Sequence, residues 1–436
     1  MARLWDKGKK TNEAALRFTV GNDHELDSKL IRFDIMGSIA HVRMLHASKL
    51  ITKPELARLL KAYTQLLKEA ERGKLKVSIE QEDCHTLIEQ RLTKMLGPLG
   101  AKIHAGRSRN DQVVTMLRLA QRHYALAMQK HTLDVADALL TLAQRHKNVP
   151  MPGYTHMQRA MPSSVAAWAL GYAEVLIEQA DKFNTFHSAL GRAASGSAAG
   201  YGVPMKLERW VAAKVQGYYN IQGVTSVQLT RGLDELWFTQ LVQQTGVVIS
   251  RMAADLVLFA TKEFGFAKLP AELTTGSSIM PNKANPDLFE LMRARGAALA
   301  GHPATITAVL AGLPGGYQRD LQIIKASLVA SIEDGMTLLN AAALAIKGVT
   351  FDKERCAAAL VPELYATAYA YQLVREGMPF REAYKKAAAS PEKWKAGKYE
   401  RGAEAADSQE YCDAWARQIN AYLTAHKKRL RSIKRK

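Results

Sequence analysis

The stretch at residues 276–287, GSSIMPNKANPD, combines side chains suited to proton transfer on a negatively charged ligand. It carries a hydroxyl at Ser277, an ammonium at Lys283 and an amide at Asn285. The opening glycine permits backbone conformations that other residues avoid, and the two prolines prevent a helix from continuing through the stretch. We therefore expect a loop that brings these three side chains over a ligand. An ordinary linker is the alternative, but linkers seldom fix a lysine and an asparagine among glycine, serine and proline.

Residues 104–112, HAGRSRNDQ, place two arginines and an amide directly before a helical pattern. Free backbone N–H groups and the helix dipole favour anions at such a helix start. Arg107 and Arg109 have the forked shape that binds carboxylates, and Asn110 is placed to orient one. The stretch therefore predicts an anion site, with a capped helix start and solvated arginines as the alternative.

A histidine within residues 151–158, MPGYTHMQ, is the third candidate. His156 follows a Pro-Gly turn and the hydroxyl of Thr155, lies near an amide, and precedes another helical pattern. A single histidine is more often structural than catalytic, so the sequence leaves both interpretations of His156 open.

The fourth candidate stretch, residues 312–325, reads GLPGGYQRDLQIIK. Tyr317 is expected to open a helix. Gln322 and Lys325 lie three residues apart, so they are expected to share one helix face. By itself this pattern is more typical of a solvated polar face than of a binding site.

Helical periodicity dominates the chain, and strand patterns are scarce. Apolar side chains recur at three-, four- and seven-residue spacings in segments rich in alanine and leucine. Successive long helices of this kind predict a bundle. Five are expected, at residues 111–146, 163–190, 236–264, 288–309 and 321–345, with a kink or interruption at Pro303.

The breaks between helical patterns divide the chain into three segments. We expect an N-terminal helical domain at residues 1–106, a central long-helix bundle at 107–350, and a C-terminal helical domain with a basic tail at 351–436. The central segment contains faces that are apolar nearly all round, at 166–170 and 247–249. Such faces favour helices shared with other subunits of a homo-oligomer, and helices buried within one large chain are the alternative.

Composition excludes several classes of protein. With 436 residues, 47% hydrophobic and 23% charged, the chain is globular rather than disordered in composition. Its three well-separated cysteines form no zinc or disulfide pattern, which suggests reduced thiols. The polar N-terminus lacks the apolar core of a signal peptide, and no apolar run approaches the length of a membrane span. We expect a soluble, cytoplasmic protein.

The formal net charge of +19 is unusually high. Seven positive charges lie in the last ten residues, which leaves +12 of the +19 for the rest of the chain. A basic tail suits nucleic acid or an anionic surface, but it is also typical of a frayed terminus, and a basic body suits an anionic substrate. The sequence holds no DNA- or RNA-reading motif, so nucleic acid is not expected to be the main partner.

Taken together, these stretches resemble the fumarase/aspartase superfamily and, within it, the argininosuccinate lyase family. The 276–287 stretch resembles the signature loop of the superfamily, which is highly specific. The resemblance implies a mainly α-helical, three-domain fold, whose long central helix bundle forms the core of a homotetramer with active sites shared between subunits. The narrower family rests on motifs that cover nearly the whole chain: LWDKG at 4–8, DIMGSIAH at 34–41, EDCH at 82–85, GRSRNDQ at 106–112, GYTHMQRA at 153–160, residues 317–325, and PFREA at 379–383.

The same resemblance implies an activity, the cleavage of argininosuccinate to arginine and fumarate without a metal or an organic cofactor. The residues suit that chemistry. Breaking a C–N bond beside a carboxylate begins with the removal of a weakly acidic Cβ proton, which gives a doubly negative aci-carboxylate. Preorganised cations and hydrogen-bond donors must stabilise this intermediate.

The resemblance also implies a role for each candidate residue. Ser277, on a mobile loop, is the base, and nearby positive charge must lower its pKa strongly. Lys283 and Asn285 hold the carboxylate on which charge accumulates. His156, paired with Glu290, is the general acid or orients one. The remaining residues bind the substrate: Arg109, Asn110 and Thr155 the succinyl end, and Tyr317, Gln322 and Lys325 the arginine end.

Single residues depart from the family pattern at three positions. Ala105 stands where many members have threonine, Met161 where many have glutamine, and Ala284 where a second lysine is common. None of these changes removes a residue of the elimination chemistry.

Two longer segments, 19–23 and 228–233, also depart from the family pattern, at the amino-acid end of the substrate, although Arg231 supplies a cation there. These differences leave open a C–N or C–O lyase that releases fumarate from a different succinyl adduct. A relative that has lost catalysis, and a tail that binds nucleic acid, are the remaining alternatives.

Overall fold

The computed structural model describes residues 12–395, 406 and 408–435, and these form a mainly α-helical fold. This confirms the fold class expected from the sequence. The α-helices are α1 Glu13–Val20, α2 Asp23–Ala47, α3 Lys53–Glu71, α4 Cys84–Leu96, α5 Pro98–Ala101, α6 Arg109–Arg145, α7 Val165–Ala189, α8 Arg209–Val215, α9 Val224–Thr230, α10 Leu233–Phe259, α11 Asp287–Ala298, α12 Gly301–Leu310, α13 Ile324–Gly348, α14 Lys353–Ala358, α15 Ala366–Arg375, α16 Phe380–Ala388 and α17 Gln409–Arg435.

Short strands pair in twos between the helices. They are β1 Pro150–Thr155, β2 Gln158–Ser164, β3 Arg192–Ala193, β4 Asn220–Ile221, β5 Ala267–Lys268, β6 Thr275–Gly276, β7 Ala284–Asn285 and β8 Thr350–Phe351. Strands β3 and β4 run parallel, and the pairs β1–β2, β5–β8 and β6–β7 are antiparallel.

The long helices lie where the apolar periodicity predicts them. Four of the five expected segments are single helices, α6, α7, α10 and α13. The fifth is divided into α11 and α12 at Leu299 and Ala300. Pro303 explains the break, because a proline ring clashes with the carbonyl four residues earlier and supplies no N–H to the helix.

The backbone divides into two compact units. The first contains the described residues up to Ala127, with Phe183–Val242 and Leu299–Glu333. The second contains Met128–Lys182, Gln243–Ala298 and the described residues from Asp334 onward. The division into domains at 1–106, 107–350 and 351–436 stays a prediction.

In the first unit, α2 is the central element and packs against α3, α4 and α8. Its apolar face is fully enclosed, with Phe33, Ile35 and Leu45 at most 2% exposed. The start of α4 is fixed by Asp83, whose carboxylate accepts the Thr86 N–H at 2.8 Å as an N-cap. This cap determines the direction of the side chains on the first turn of α4, which line the cavity described below.

In the second unit, an aromatic cluster supports the β1–β2 hairpin. Tyr154 of β1 packs on Phe264, with ring centroids 5.7 Å apart, and Phe264 contacts Phe259 and Phe266 in turn. On α7, the Trp168 indole donates to Asp255 Oδ2 at 2.9 Å. The hairpin therefore packs on an aromatic cluster through Tyr154.

The apolar faces singled out in the sequence have different environments. Ala166, Ala167, Ala169 and Leu170 are buried within this chain, so they give no sign of a subunit contact. Val247, by contrast, is 45% exposed. Among the described residues, one helical stretch, 319–348, is long and apolar enough to cross a bilayer by length and composition alone, and half of its most apolar window is buried, as in the core helices of soluble proteins.

Candidate active site

A cavity of about 240 Å³ in the first unit gathers half of the residues predicted to act on a substrate. Charged groups of both signs surround it, with the carboxylates of Asp23, Asp27, Glu82 and Asp83 in its wall. Six predicted residues also line it: Arg109, Asn110, Arg231, Tyr317, Gln322 and Lys325.

Lys325 lines this cavity, and its ammonium is held between two carboxylates. Its Nζ lies 2.6 Å from Asp27 Oδ1 and 2.7 Å from Asp23 Oδ1. Burial alone would lower the pKa of Lys325, but the two aspartates raise it above its ordinary value. Burial opposes ionisation of Asp27 as well, yet Lys325 holds the pKa of Asp27 below its usual range. Burial raises the pKa of Asp23, although Lys325 acts in the opposite direction. The three groups form an ion triplet in which one ammonium lies between two carboxyl groups.

Gln322 also lines the cavity, and its side chain bonds to the backbone before α2. Its Nε2 donates to the carbonyl of Thr19 at 2.9 Å, and Arg319 Nη2 donates to the same carbonyl at 3.1 Å. Residues 19–23, which depart from the family pattern, thus form part of the cavity wall. Gln322 lies in a 3-10 helix, Arg319–Gln322, and Tyr317 precedes it, so the expectation that Tyr317 opens a helix was wrong by two residues.

The two arginines before α6 have separate environments. Arg109 donates from Nη2 to Thr86 Oγ1 at 2.9 Å, and its Nη1 lies 3.4 Å from Asp83 Oδ2. Arg107 instead donates to Ser38 Oγ at 3.0 Å and lines a second, much smaller cavity. The structure therefore places Arg109, but not Arg107, in the main cavity.

Arg231 lies in the cavity wall, buried and already engaged. Its guanidinium bonds to the carboxylate of Glu235, and its Nη2 donates to the Leu321 carbonyl at 3.1 Å. Burial lowers the pKa of Arg231 to about 10. Arg231 thus fixes the 3-10 helix that carries Gln322.

Sequence reasoning did not single out a histidine–carboxylate pair of which one member, His85, lines the cavity. His85 Nδ1 lies 2.8 Å from Asp34 Oδ1, and both side chains are buried. Their motifs, EDCH and DIMGSIAH, contributed to the family resemblance without any assigned role. The two residues are 51 positions apart, so only the packing of α4 on α2 reveals the pair.

Asp111, in the first turn of α6, organises the turn that carries Arg109. Its Oδ1 accepts the Ser108 N–H at 2.8 Å, and its Oδ2 accepts the N–H groups of Gly196 at 3.0 Å and Ala198 at 3.2 Å. Burial raises the pKa of Asp111 to about 6, although these donors and Arg107 act in the opposite direction. Asp111 thus connects the arginine stretch to the loop at 196–198 through hydrogen bonds from both.

This pKa predicts how the stability of the protein depends on pH. Because the pKa of Asp111 is about 6 in the folded chain and 3.8 ordinarily, the folded state binds more protons between those values. The contribution of Asp111 to the free energy of unfolding should therefore fall by up to about 3 kcal/mol as pH rises from about 4 to about 6. Urea unfolding of wild type and Asp111→Asn across this range measures it, and a difference that stays constant or grows with pH would contradict the assignment.

The other six predicted residues lie in the second unit, and none lines the cavity. Thr155 and His156 lie at the tip of the β1–β2 hairpin, a structure that the sequence did not predict. Thr155 pairs with Gln158, so His156 and Met157 form a two-residue turn, with φ of 52° and 60°. Side chains other than glycine are strained in this left-handed region, and such strain is typical of functional positions. The turn leaves His156 exposed.

The stretch at 276–287 is a loop, as its composition predicts, and a small hairpin closes it. Thr275 pairs with Asn285, and Gly276 pairs with Ala284. The residues from Ser277 to Lys283 therefore form the loop that this two-stranded hairpin closes. Ser277 Oγ accepts the Met280 N–H at 3.0 Å and lies 3.4 Å from the Ile279 nitrogen. Two N–H groups directed at one hydroxyl oxygen stabilise negative charge on it.

The other side chains of this loop are accessible. Lys283 and Glu290 are exposed, and Asn285 is half-buried. The side chain of Thr275 bonds to Asp287, which ties the end of the hairpin to the first turn of α11. The loop therefore has a fixed base and an open tip, with Ile279 82% exposed.

Comparison with known proteins defines the class to which this fold and these residues belong. A family model described as Lyase matches residues 8–301. The fold is similar to an EDDS lyase solved with formate, with a TM-score of 0.77 and 22% identity, over 98% of this chain and 93% of that one. It is also similar to a class II fumarase from Schistosoma mansoni, with a TM-score of 0.69 and 16% identity, over 87% and 93%. The class is that of the helical lyases.

Comparison with relatives of similar sequence identifies the family within this class. An argininosuccinate lyase of Sorangium cellulosum (strain So ce56) is 40% identical over 89% of this chain and 90% of its own length. Those of Thermotoga neapolitana and Stenotrophomonas maltophilia (strain K279a) are 36% identical over 88% and 96%, and 38% identical over 92% and 94%. The chain therefore belongs to the argininosuccinate lyase family, which confirms the resemblance found in its sequence.

Proposed function

We propose that this protein is a carbon–nitrogen lyase that cleaves L-argininosuccinate to L-arginine and fumarate, as a cytoplasmic enzyme of arginine biosynthesis. The observation that carries the proposal is the loop at 276–287. It presents a hydroxyl whose oxygen faces two backbone N–H groups, beside a lysine and an asparagine. Such a group suits a base that must become negatively charged before it removes a proton from carbon.

The reaction begins at the succinyl end of the substrate. Ser277, as the alkoxide, removes a proton from Cβ, and the electrons of the C–H bond pass into the adjacent carboxylate, giving the aci-carboxylate. Lys283 balances its second negative charge, and the amide of Asn285 donates hydrogen bonds to it. The electrons then form the C=C bond of fumarate while the C–N bond breaks, and the departing guanidino nitrogen gains a proton. His156, with Glu290, is one candidate for donating or directing that proton.

Binding is assigned to the cavity of the first unit. Arg109 and Asn110, with Thr155 of the hairpin, bind the carboxylates of the succinyl end. Tyr317 and Gln322 bind the arginine end, where Lys325 and Arg231 add cations that are themselves fixed by carboxylates. The ligand is therefore a small anion, and no step calls on a metal or an organic cofactor.

The active form is proposed to be a homotetramer with shared active sites. Exposed apolar side chains on the long helices support subunit contacts, among them Val175, Val247 and Leu344 at 38%, 45% and 57% exposure.

Mixing two inactive variants tests the shared site. Arg109→Gln and Ser277→Ala should each be nearly inactive, whereas tetramers coexpressed from both should recover about one quarter of wild-type activity, since each of two contributing chains is intact half of the time. The pair Ser277→Ala and Lys283→Ala, on one loop, is the control and should recover nothing. No recovery in the first mixture would show that one chain supplies both groups.

Product analysis tests the reaction itself. The wild-type enzyme incubated with argininosuccinate should release arginine and fumarate in equal amounts. Succinyl adducts of other amines, tested in parallel, should react far more slowly. Faster release of fumarate from another adduct would contradict the assigned leaving group and leave the elimination intact.

A further inference from the structure

Three aromatic residues in contact form an exposed surface on α15 and α16, which we call the aromatic patch. The ring centroids of Tyr371 and Phe380 lie 5.4 Å apart, and those of Phe380 and Tyr384 lie 6.4 Å apart. In chain order the three residues are 53%, 49% and 62% exposed. Single exposed apolar residues are ordinary on soluble proteins, but a contiguous group marks a surface that contacts a partner. Phe380 belongs to the PFREA motif, which has no part in the proposed lyase reaction.

The two helices hold the aromatic patch in a fixed geometry. α15 ends in a turn at which Gly377 has a φ of 98°, a backbone conformation that favours glycine. The Met378 N–H donates to the Leu373 carbonyl at 3.0 Å, which closes the turn before α16 begins. Along one face of α16, Ala383 and Ala387 are buried at 0% and 3% exposure. Because the helices that carry the rings are fixed in this way, a partner would meet rings that need little ordering on binding.

A row of cations runs beside the rings of α16. Phe380 and Tyr384 are four residues apart, and so are Arg381 and Lys385, so each pair lies along the helix axis and the two rows are adjacent. Both cations are exposed. Between residues 366 and 388 the chain carries four cationic side chains and two acidic ones, Arg375, Arg381, Lys385 and Lys386 against Glu376 and Glu382. The surface therefore favours an anionic partner.

We propose that the aromatic patch, together with Arg381 and Lys385, binds single-stranded nucleic acid, as a function separate from the lyase reaction. Exposed rings stack with bases, and cations beside them contact the phosphates of the same strand. This combination is the one that proteins use for single strands without reading their sequence.

The chemistry of the surface distinguishes this partner from two others. In a duplex the bases pair and stack on one another, so their faces are not open to the rings, whereas a single strand exposes them. A second copy of this chain would bring the same cations to the surface, and like charges meeting in an interface oppose association. The proposed subunit contacts of the tetramer, moreover, involve Val175, Val247 and Leu344 of the long helices rather than α15 or α16.

Fluorescence anisotropy with a labelled twelve-residue oligothymidylate tests the proposal at about 50 mM salt. Wild type should bind it, and Tyr384→Ala should bind about 5–150-fold more weakly, because one stacking ring is lost. Tyr384→Phe keeps the ring and should bind like wild type. Lys385→Gln should make the plot of log K against log salt concentration shallower by about 0.7, which is the share of one phosphate contact on a single strand.

Two controls separate stacking from general attraction to a basic protein. Phe18→Ala removes an aromatic residue of α1 that is 89% exposed, and it should bind the oligonucleotide as wild type does. Inorganic polyphosphate carries charge without bases, so Tyr384→Ala should bind it as tightly as wild type does. Circular dichroism melting checks that each variant is folded.

Several results would overturn the proposal. No binding of the oligonucleotide by wild type is one, and equal affinity of wild type and Tyr384→Ala is another, since it would place binding elsewhere, for example on the basic tail. Equal losses in Tyr384→Ala and Phe18→Ala would also contradict it. A change of oligomeric state in Tyr384→Ala, with unchanged affinity for the oligonucleotide, would assign the patch to a second copy of the chain. Should Tyr384→Ala fail to fold, Lys385→Gln decides, because an unchanged salt dependence contradicts the proposed contact.

Discussion

Replacing Ser277 with alanine is expected to lower kcat for fumarate release by about 10³-fold or more, with a far smaller effect on KM. The hydroxyl is the proposed base, and its removal takes away the oxygen at which two backbone N–H groups are directed. A 10³-fold loss corresponds to about 4 kcal/mol of transition-state stabilisation. Steady-state kinetics with argininosuccinate, followed by fumarate absorbance, measures the loss.

The neighbouring serine supplies the matched control. Ser278 is exposed, lies on the same loop and differs from Ser277 by one position. Ser277 Oγ accepts the Met280 N–H, and this hydrogen bond stabilises negative charge on the Ser277 oxygen. Ser278→Ala should therefore retain kcat within about tenfold. Equal losses in the two variants would mean that the loop, rather than the Ser277 hydroxyl, is what catalysis requires.

The second large effect is expected at the ion triplet in the cavity wall. Lys325→Met should lower the free energy of unfolding by about 3–5 kcal/mol, because it leaves the carboxylates of Asp23 and Asp27 without their counter-charge in a buried site. Asp27 is 0% exposed and Lys325 2%, so water cannot replace the ammonium without opening the fold. Urea unfolding at neutral pH measures the change. Activity should fall with it, because both carboxylates line the cavity.

An exposed ion pair provides the comparison. Lys29 contacts Glu333 at 2.7 Å, yet the two side chains are 50% and 53% exposed. Lys29→Met should therefore change the free energy of unfolding by no more than about 1 kcal/mol. Adding Asp27→Asn to Lys325→Met should recover part of the loss, since one uncompensated charge is then removed. Similar costs for the two lysine variants would contradict the buried triplet.

The long helices and the loop at 276–287 were predictable from local patterns. Apolar spacing gave α6, α7, α10 and α13, and Pro303 marked the division between α11 and α12. The loop at 276–287 followed from its glycine and prolines, which act within a few residues. Each of these features depends on neighbours in the chain, so the sequence carries the information locally.

The hairpin that carries His156 was not predictable in the same way. Its strands contain three prolines and a glycine, which are typical of loops, and its turn, His156-Met157, lacks the Asn-Gly pair that usually marks such a hairpin. Packing of Tyr154 on Phe264, 110 positions along the chain, supports the strands instead.

The polar interior of the cavity depends on contacts between distant residues. Lys325 meets Asp27 from 298 positions away, and His85 meets Asp34 from 51. No spacing rule connects such pairs, so the sequence suggested Lys325 as a substrate ligand without its carboxylate partners. Family resemblance assigned roles to single residues, whereas the structure adds the groups that hold Arg109, Arg231 and Lys325 in place.

The most direct test of the account is the rate at which the wild-type protein forms fumarate from argininosuccinate. We predict continuous formation of fumarate, matched by an equal amount of arginine and abolished in Ser277→Ala. The account would be contradicted if folded protein at high concentration formed fumarate no faster than the uncatalysed reaction.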